Sequence, residues 1–148
     1  MSLEQKVNDG IKAAMLARDK VRLESLRAVK AAILLAKTSE NAKDFDEASE
    51  TKLLQKLVKQ RRETAEIYIS NNRNELAGKE LAEAEIIEEF LPRQLSLQEI
   101  EAMAKAIIEE TGATGMKDMG KVMAIASGQL AGKADGKIIA DTVKKLLQ

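Results

Sequence analysis

The sequence contains no cysteine and no histidine. Without cysteine there are no disulfides and no thiol nucleophiles, and without histidine the commonest general base and metal ligand are missing. Zinc sites, Cys-His nucleophiles and Ser-His-Asp triads are therefore excluded. The chain has one proline and no tryptophan, and aromatic residues make up only 2% of it. Its core must therefore be built from Leu, Ile, Val, Ala and Met, which is typical of packed helices.

No apolar run approaches the roughly 20 residues that a membrane span needs, and the chain does not open on a signal-peptide pattern. We therefore expect a cytoplasmic protein with no membrane contact. Of the 148 residues, 45% are hydrophobic and 32% are charged, which is a globular composition. This length suits one domain or two small ones.

Apolar residues recur at helical spacing and no run alternates with period two, so the sequence predicts an all-α fold. About four helices precede Pro92 and three short helices follow it. Because proline cannot continue a helix, Pro92 marks the best boundary. The predicted domains are a helical N-terminal domain (1–91) and a small three-helix C-terminal domain (92–148). The stretch Ser39 to Ser49 is predicted to be a loop, and the third and fourth helices are either separate or one long kinked rod.

Residues that begin or end helices are spaced along the chain. Two capping boxes are predicted, Ser2 with Gln5 and Ser96 with Glu99. Single aspartates are predicted to cap three further helices, and Gly112 is predicted to end the fifth helix. These aspartates are Asp19, Asp118 and Asp135. The first helix is expected to bury Leu3, Val7, Ile11, Ala14 and Met15.

Six of the eight glycines lie between Gly112 and Gly136. Within this stretch, Gly115 to Val122 matches the phosphate-binding loop G-x-x-x-x-G-K-[ST] except at its last position. The missing hydroxyl would coordinate Mg²⁺, and the residues before the glycines are predicted to be helix rather than strand. Nucleotide hydrolysis is therefore disfavoured, and turns and helix caps explain these glycines better.

Charge is unevenly distributed although the net charge is zero. A basic stretch, Lys52 to Arg73, is followed directly by an acidic one, Asn74 to Leu91. Within the acidic stretch, Glu80 with Glu83 and Glu85 with Glu88 share helix faces. Such carboxylates can hold a metal or perform acid–base chemistry. A solvated acidic face is the favoured interpretation. Docking of this acidic helix on a basic partner lies between that interpretation and a catalytic or metal-binding role.

Lysines accompany the glycines of the C-terminal stretch, near the predicted amino ends of two helices. Helix amino ends present unpaired N–H groups that suit phosphates, and small residues permit close approach of a nucleic-acid backbone. With so few aromatics, contacts would be to phosphate and sugar rather than stacked bases. The candidate RNA-binding residues are Lys117, Lys121, Lys133 and Lys137 with Gly120, Gly132 and Gly136.

Several segments resemble the YqeY family, whose members are similar to the tail of the B subunit of tRNA-dependent amidotransferase. The resemblance extends over essentially the whole chain. One departure is Lys133, where the family usually has arginine. The matching residues are Arg18-Asp-Lys, Leu26-Arg27, Glu80 to Glu85, Phe90-Leu-Pro-Arg-Gln-Leu-Ser96, Gly112-Ala, Asp118-Met-Gly-Lys-Val-Met123, Gly132-Lys-Ala-Asp-Gly136 and Val143-Lys144.

The resemblance implies an all-α fold and a link to transamidation of misacylated tRNA. It also implies the label of carbon–nitrogen ligase with glutamine as amido donor, although no residue set here performs that reaction alone. We therefore predict a non-catalytic tRNA-binding accessory protein without cofactor or metal, with a possible protein partner in tRNA-dependent amidation. The alternative is a protein-interaction module that docks through Glu80, Glu83 and Glu85.

Overall fold

A computed structural model of the protein describes residues 1–39 and 45–148. Every regular element in these residues is helical, which confirms the all-α prediction. The α helices are α1 (Leu3–Ala17), α2 (Lys20–Lys37), α3 (Glu47–Ser70), α4 (Asn74–Glu88), α5 (Leu97–Thr111), α6 (Met119–Leu130) and α7 (Gly136–Leu147), and Met116–Asp118 form a short 3-10 helix. Residues 40–44 of the predicted loop lie outside the described residues.

By its internal contacts the chain divides into two compact units, Met1–Leu91 and Pro92–Gln148. The first unit contains α1 to α4 and the second contains α5 to α7. That the two units are separate domains stays a prediction.

The first two helices begin as their sequences predict. Ser2 Oγ accepts a hydrogen bond from the Gln5 N–H (3.2 Å) and the Gln5 side chain accepts one from the Ser2 N–H (2.9 Å), so the capping box is complete. Asp19 caps α2 by accepting from the Arg22 N–H at 3.1 Å. These bonds satisfy N–H groups that have no partner inside a helix, and so fix where each helix starts.

The third and fourth predicted helices are separate rather than one kinked rod. After α3 ends at Ser70, Asn72 adopts a left-handed conformation with φ 59°. Asparagine tolerates this conformation better than most residues. The Arg73 N–H then donates to the Tyr68 carbonyl at 2.8 Å, which closes the turn. The chain therefore reverses, and α3 and α4 pack against each other as a hairpin.

The basic and acidic stretches of the sequence face each other across this hairpin. Arg61 Nε lies 3.3 Å from Glu83 Oε2, and the two side chains are only 17% and 13% exposed. Arg62, the next residue of α3, pairs with Glu88. Two arginines of α3 are thus neutralised by glutamates of α4 within the unit.

Aliphatic side chains fill the core of the first unit. Gly10 brings α1 close to α2, since a Cβ added there would lie 2.8 Å from Cδ1 of Leu26. The prediction that Met15 is buried is wrong: it is 54% exposed, because Ala14 occupies the inward position of the last turn. The buried cluster comprises Leu3, Val7, Leu26, Val29, Ile33, Leu54, Val58, Ala84 and Ile87.

The second unit is built by mutual packing of α5, α6 and α7. Gly112 ends α5 in the left-handed conformation (φ 69°), as predicted. Glycine adopts this conformation without steric cost. The buried cluster comprises Ile100, Ala104, Ile107, Val122, Ala126, Leu130, Ala134, Ile139, Val143 and Leu147.

We expect the substitutions Gly10→Ala and Gly78→Ala to have opposite effects on stability. In α4 an added Cβ at Gly78 meets nothing within 4 Å, so alanine should stabilise by up to about 1 kcal/mol through its higher helix propensity. At Gly10 the same gain is outweighed because Leu26 must move within a full core, which costs about 1–3 kcal/mol. Urea unfolding followed by circular dichroism measures both, and stabilisation by Gly10→Ala would contradict the close packing.

Glu83→Gln should destabilise the first unit by about 1–3 kcal/mol, because it leaves the nearly buried Arg61 guanidinium without its ionic partner. The matched control is Glu85→Gln, which removes the same charge from an exposed position of α4. We expect that control to stay within about 0.5 kcal/mol of the parent protein. Equal losses in the two variants, measured by urea unfolding, would show that the Arg61–Glu83 pair does not stabilise the hairpin.

Candidate nucleic-acid interface

The turn between α6 and α7 is held by the segment that precedes α5. The Leu95 N–H donates to the Lys133 carbonyl at 2.9 Å, and Gln94 Nε2 donates to the Gly132 carbonyl at 2.8 Å. The same Nε2 also donates to the Pro92 carbonyl at 2.9 Å. We call these three hydrogen bonds the clamp. The clamp joins two segments that lie far apart in the sequence.

The clamp fixes the backbone of the turn and leaves one lysine side chain in solvent. Gly132 adopts a left-handed conformation with φ 77°, which glycine alone adopts freely. The Lys133 N–H donates to the Leu130 carbonyl at 3.0 Å, and the following residue, Ala134, is buried. The Lys133 side chain is exposed. This lysine therefore projects from a rigid turn.

Asp118 is the residue at the N-cap of α6, as predicted, but its side chain does not make the capping bond. Its carboxylate accepts from the Thr114 N–H at 3.0 Å and makes no capping bond to α6. The intervening 3-10 helix places this side chain against the preceding turn instead. The hydrogen bond from Thr114 lowers the pKa of Asp118, and the charges of Lys117 and Lys121 lower it further. Asp118 therefore closes the turn between α5 and α6.

The predicted cap of α7 is also not made by a side chain. Asp135 is extended at the helix start, and its carbonyl accepts from the Ile139 N–H at 3.1 Å. Its carboxylate forms no capping bond to α7. The first turn of α7 is thus set by the backbone that leaves the clamped turn.

The second capping box is half formed. Ser96 Oγ accepts from the Glu99 N–H at 3.2 Å, as predicted, but Glu99 does not return the bond to the Ser96 backbone. Its carboxylate instead binds both terminal nitrogens of Arg93, at 3.1 and 2.7 Å. This pairing holds the pKa of Glu99 below its ordinary value and raises the pKa of Arg93.

The four candidate lysines are exposed, and they lie in two pairs. Lys117 and Lys121 flank the start of α6, whereas Lys133 and Lys137 flank the turn after its end. Twelve residues of helix separate the two positions, a length of about 18 Å. That length suits several consecutive phosphates of a nucleic-acid strand better than a single anion.

In the parts of the chain that the structure describes, 1–39 and 45–148, the same four lysines have no salt-bridge partner, and neither do Lys105, Lys144 and Lys145 of the same unit. The pairs found there are Arg22–Glu89, Lys37–Glu4, Arg61–Glu83, Arg62–Glu88, Lys79–Glu24 and Arg93–Glu99. What distinguishes the four candidates is therefore their position at the two ends of α6.

Gly120 and Gly136 lie in the first turns of α6 and α7. A Cβ added at either position would meet no atom within 4 Å. The packing of this protein therefore does not require glycine at either position, and the backbone there is open to an approaching molecule. Since α5 rather than a strand precedes this stretch, the setting of a phosphate-binding loop is absent.

The acidic residues proposed for partner docking are in different situations. Glu83 forms a salt bridge with Arg61, whereas Glu80 is half-buried and Glu85 is exposed. Among the residues that the structure describes, no group of three or more acidic side chains is arranged to hold a metal ion. None of the described helices combines the length and the apolar character needed to cross a membrane.

Sequence reasoning missed Gln94, which holds the clamped turn, and Arg93, which pairs with Glu99. Both belong to the segment Phe90 to Ser96 through which the chain resembles the YqeY family. That resemblance was the only signal, because no local pattern predicts that Gln94 bonds a carbonyl 38 residues away.

Comparison with known proteins identifies similar chains. The family model described as "Yqey-like protein" matches residues 4–147. Three relatives carry the name "Altered inheritance of mitochondria protein 41, mitochondrial". The protein of Lachancea thermotolerans is 34% identical over 64% of this chain and 51% of its own length. That of Vanderwaltozyma polyspora is 31% identical over 74% and 62%, and that of Kluyveromyces lactis is 30% identical over 90% and 70%.

The chain thus spans about half to two thirds of the length of most of these relatives. The prediction of a cytoplasmic location is contradicted, because these relatives are named as mitochondrial proteins. The composition from which that prediction was drawn does not determine location, which depends on targeting segments. Because the family match covers all but a few terminal residues, the chain belongs to the YqeY family.

Proposed function

We propose that the second unit binds the phosphate backbone of tRNA and that the protein is a non-catalytic accessory of tRNA-dependent amidation. The observation that carries the proposal is the set of exposed lysines without salt-bridge partners at both ends of α6. An unpaired exposed lysine gives up no internal ion pair when it meets a phosphate. It also releases counterions from the nucleic acid, which drives binding.

Local geometry supports the same proposal. The clamp holds the backbone of Lys133, so that the residue is positioned before any partner arrives and less conformational entropy is lost on binding. Gly120 and Gly136 leave space beside the amino ends of α6 and α7, where N–H groups favour anions. With few aromatic side chains for stacking on bases, the proposed contacts are to phosphate and sugar rather than to base edges.

The link to amidation rests on the sequence resemblance to the amidotransferase tail. The proposed role is to hold the tRNA body while the reaction takes place on another protein. The label of carbon–nitrogen ligase would then describe the assembly rather than this chain.

The alternative of docking through the acidic helix is weaker, because Glu83 pairs with Arg61 inside the first unit. Reversing the charge of Glu83 would disturb the hairpin whether or not a partner binds there. A test of that alternative therefore uses Glu80→Lys with Glu85→Lys, which leave the Arg61–Glu83 pair intact. The test is a pull-down in which the parent protein retains a protein partner but no tRNA. Loss of that partner from the Glu80→Lys and Glu85→Lys variants would favour docking through the acidic helix.

Triple replacement of Lys121, Lys133 and Lys137 by alanine should weaken binding of bulk tRNA by at least about tenfold near 0.1 M salt. The slope of log Kd against log salt concentration should fall by about 2 to 3, since each lost phosphate contact removes about one counterion. Mobility-shift titrations at several salt concentrations measure both quantities.

The matched control replaces Lys105, Lys144 and Lys145 by alanine. It removes the same charge from exposed positions of the same unit, away from the turns that flank α6. We expect this control to retain most of the affinity. If both triple variants bind like the parent protein with an unchanged salt slope, the proposal is wrong.

A further inference from the structure

Arg93 lies directly beside the clamp. The residue that follows it, Gln94, binds the Gly132 carbonyl, and Leu95 binds the Lys133 carbonyl. Arg93 therefore lies two residues before the amide that bonds the Lys133 carbonyl, although Arg93 and Lys133 are far apart in sequence. The Arg93 side chain is 74% exposed, so its guanidinium is accessible to a partner.

Arg93 is occupied by a carboxylate in the geometry that it would use for a phosphate. Both of its terminal nitrogens donate to the two oxygens of Glu99, at 3.1 and 2.7 Å. This fork is the arrangement by which arginine binds two oxygens of one phosphate. Lysine is a point charge and cannot bind in this way. Arg93 can therefore supply a directional contact that Lys133 cannot.

Glu99 has a second partner within reach. It is the third residue of α5, and its amide already binds Ser96 Oγ at 3.2 Å. In a complete capping box such a side chain accepts from the backbone N–H of the capping residue. The Ser96 hydroxyl already donates to Glu99 Oε1 at 3.3 Å, and the Ser96 amide is near enough to help lower the pKa of Glu99. Glu99 therefore keeps hydrogen-bond donors when Arg93 leaves it.

We propose that Arg93 binds a phosphate of the RNA backbone and that Glu99 is an internal anion which that phosphate displaces. The inference rests on the proposed function and adds to it a residue and a means of control. Exposed ion pairs contribute little to stability, and completion of the capping box compensates Glu99. A phosphodiester in multivalent contact with the neighbouring lysines therefore competes successfully for the guanidinium.

Three single variants test the proposal in titrations with bulk tRNA. Arg93→Ala should bind about tenfold more weakly, with a salt slope lower by about one. Arg93→Lys should keep the salt slope but lose part of the affinity, because its charge remains and the fork does not. Glu99→Gln should bind up to about fivefold more tightly, since the competing charge is gone. Glutamine still completes a capping box, so thermal unfolding should show that this variant is folded.

Two comparisons make the result specific. Glu109→Gln removes the same charge from an exposed position near the other end of α5, and it should leave the affinity unchanged. The gain from Glu99→Gln should disappear in the Arg93→Ala background, because the two residues act through one contact. If Glu99→Gln tightens binding equally in both backgrounds, the effect is general electrostatics and the inference is overturned.

Different experimental results would contradict the proposed function and this inference. If the triple lysine variant loses binding while Arg93→Ala and Glu99→Gln match the parent protein, the proposed function stands and the inference is wrong. If the parent protein does not bind tRNA, or the lysine variant binds as well as the parent with an unchanged salt slope, the proposed function itself fails.

Titration of the carboxyl groups, followed by carbon-13 NMR, is an independent test of the Arg93–Glu99 pair and of its displacement. Arg93 lowers the pKa of Glu99 from its ordinary 4.5. The ion pair is therefore fully formed above pH 4.5, and it is lost as the pH falls through the lowered pKa of Glu99 in the folded protein. In Arg93→Ala the Glu99 midpoint should rise toward 4.5, while that of Asp118, which Thr114 lowers, should stay low. At neutral pH, added tRNA should change the Glu99 carboxyl signal; an unchanged signal in the bound state would contradict displacement.

Discussion

Burial of aliphatic side chains between helices is the interaction on which both units depend. With aromatic residues at only 2% of the sequence, no large ring fills the space between helices, so the helices must approach closely. Gly10 shows the consequence, since α1 lies so near to α2 that a methyl group would collide with Leu26. In the second unit, Ala104, Ala126 and Ala134 are buried among larger side chains. Such cores are tightly packed, and even small changes of volume are felt.

Once the aliphatic faces are buried, salt bridges decide which surface remains for partners. In the first unit the basic face of α3 meets the acidic face of α4, and the nearly buried Arg61–Glu83 pair fixes their register. Two of the arginines that would attract a partner in an isolated helix are thereby neutralised. In the second unit the lysines at both ends of α6 form no salt bridge among the described residues. A small excess of positive charge there becomes an accessible surface.

The clamp gives that surface its shape. It fixes the turn after α6 through the Leu95 amide and the Gln94 side chain, and Arg93 directly precedes these two residues. The guanidinium already holds an anion, the Glu99 carboxylate. A rigid turn loses little entropy on binding, and a guanidinium that already holds a carboxylate discriminates against weak anions. We interpret the Pro92–Leu95 segment as part of the interface as well as the connection into α5.

The sequence by itself determined the helices, because apolar periodicity, the caps at Ser2 and Asp19 and the stop at Gly112 act over only a few residues. It also determined the family, through motifs spread along the chain. Tertiary structure alone decided which charges are neutralised and which segment holds the turn that carries Lys133. These outcomes depend on hydrogen bonds and ion pairs between residues as many as 67 positions apart. Local spacing carries no information about such contacts, which exist only after the aliphatic faces have packed.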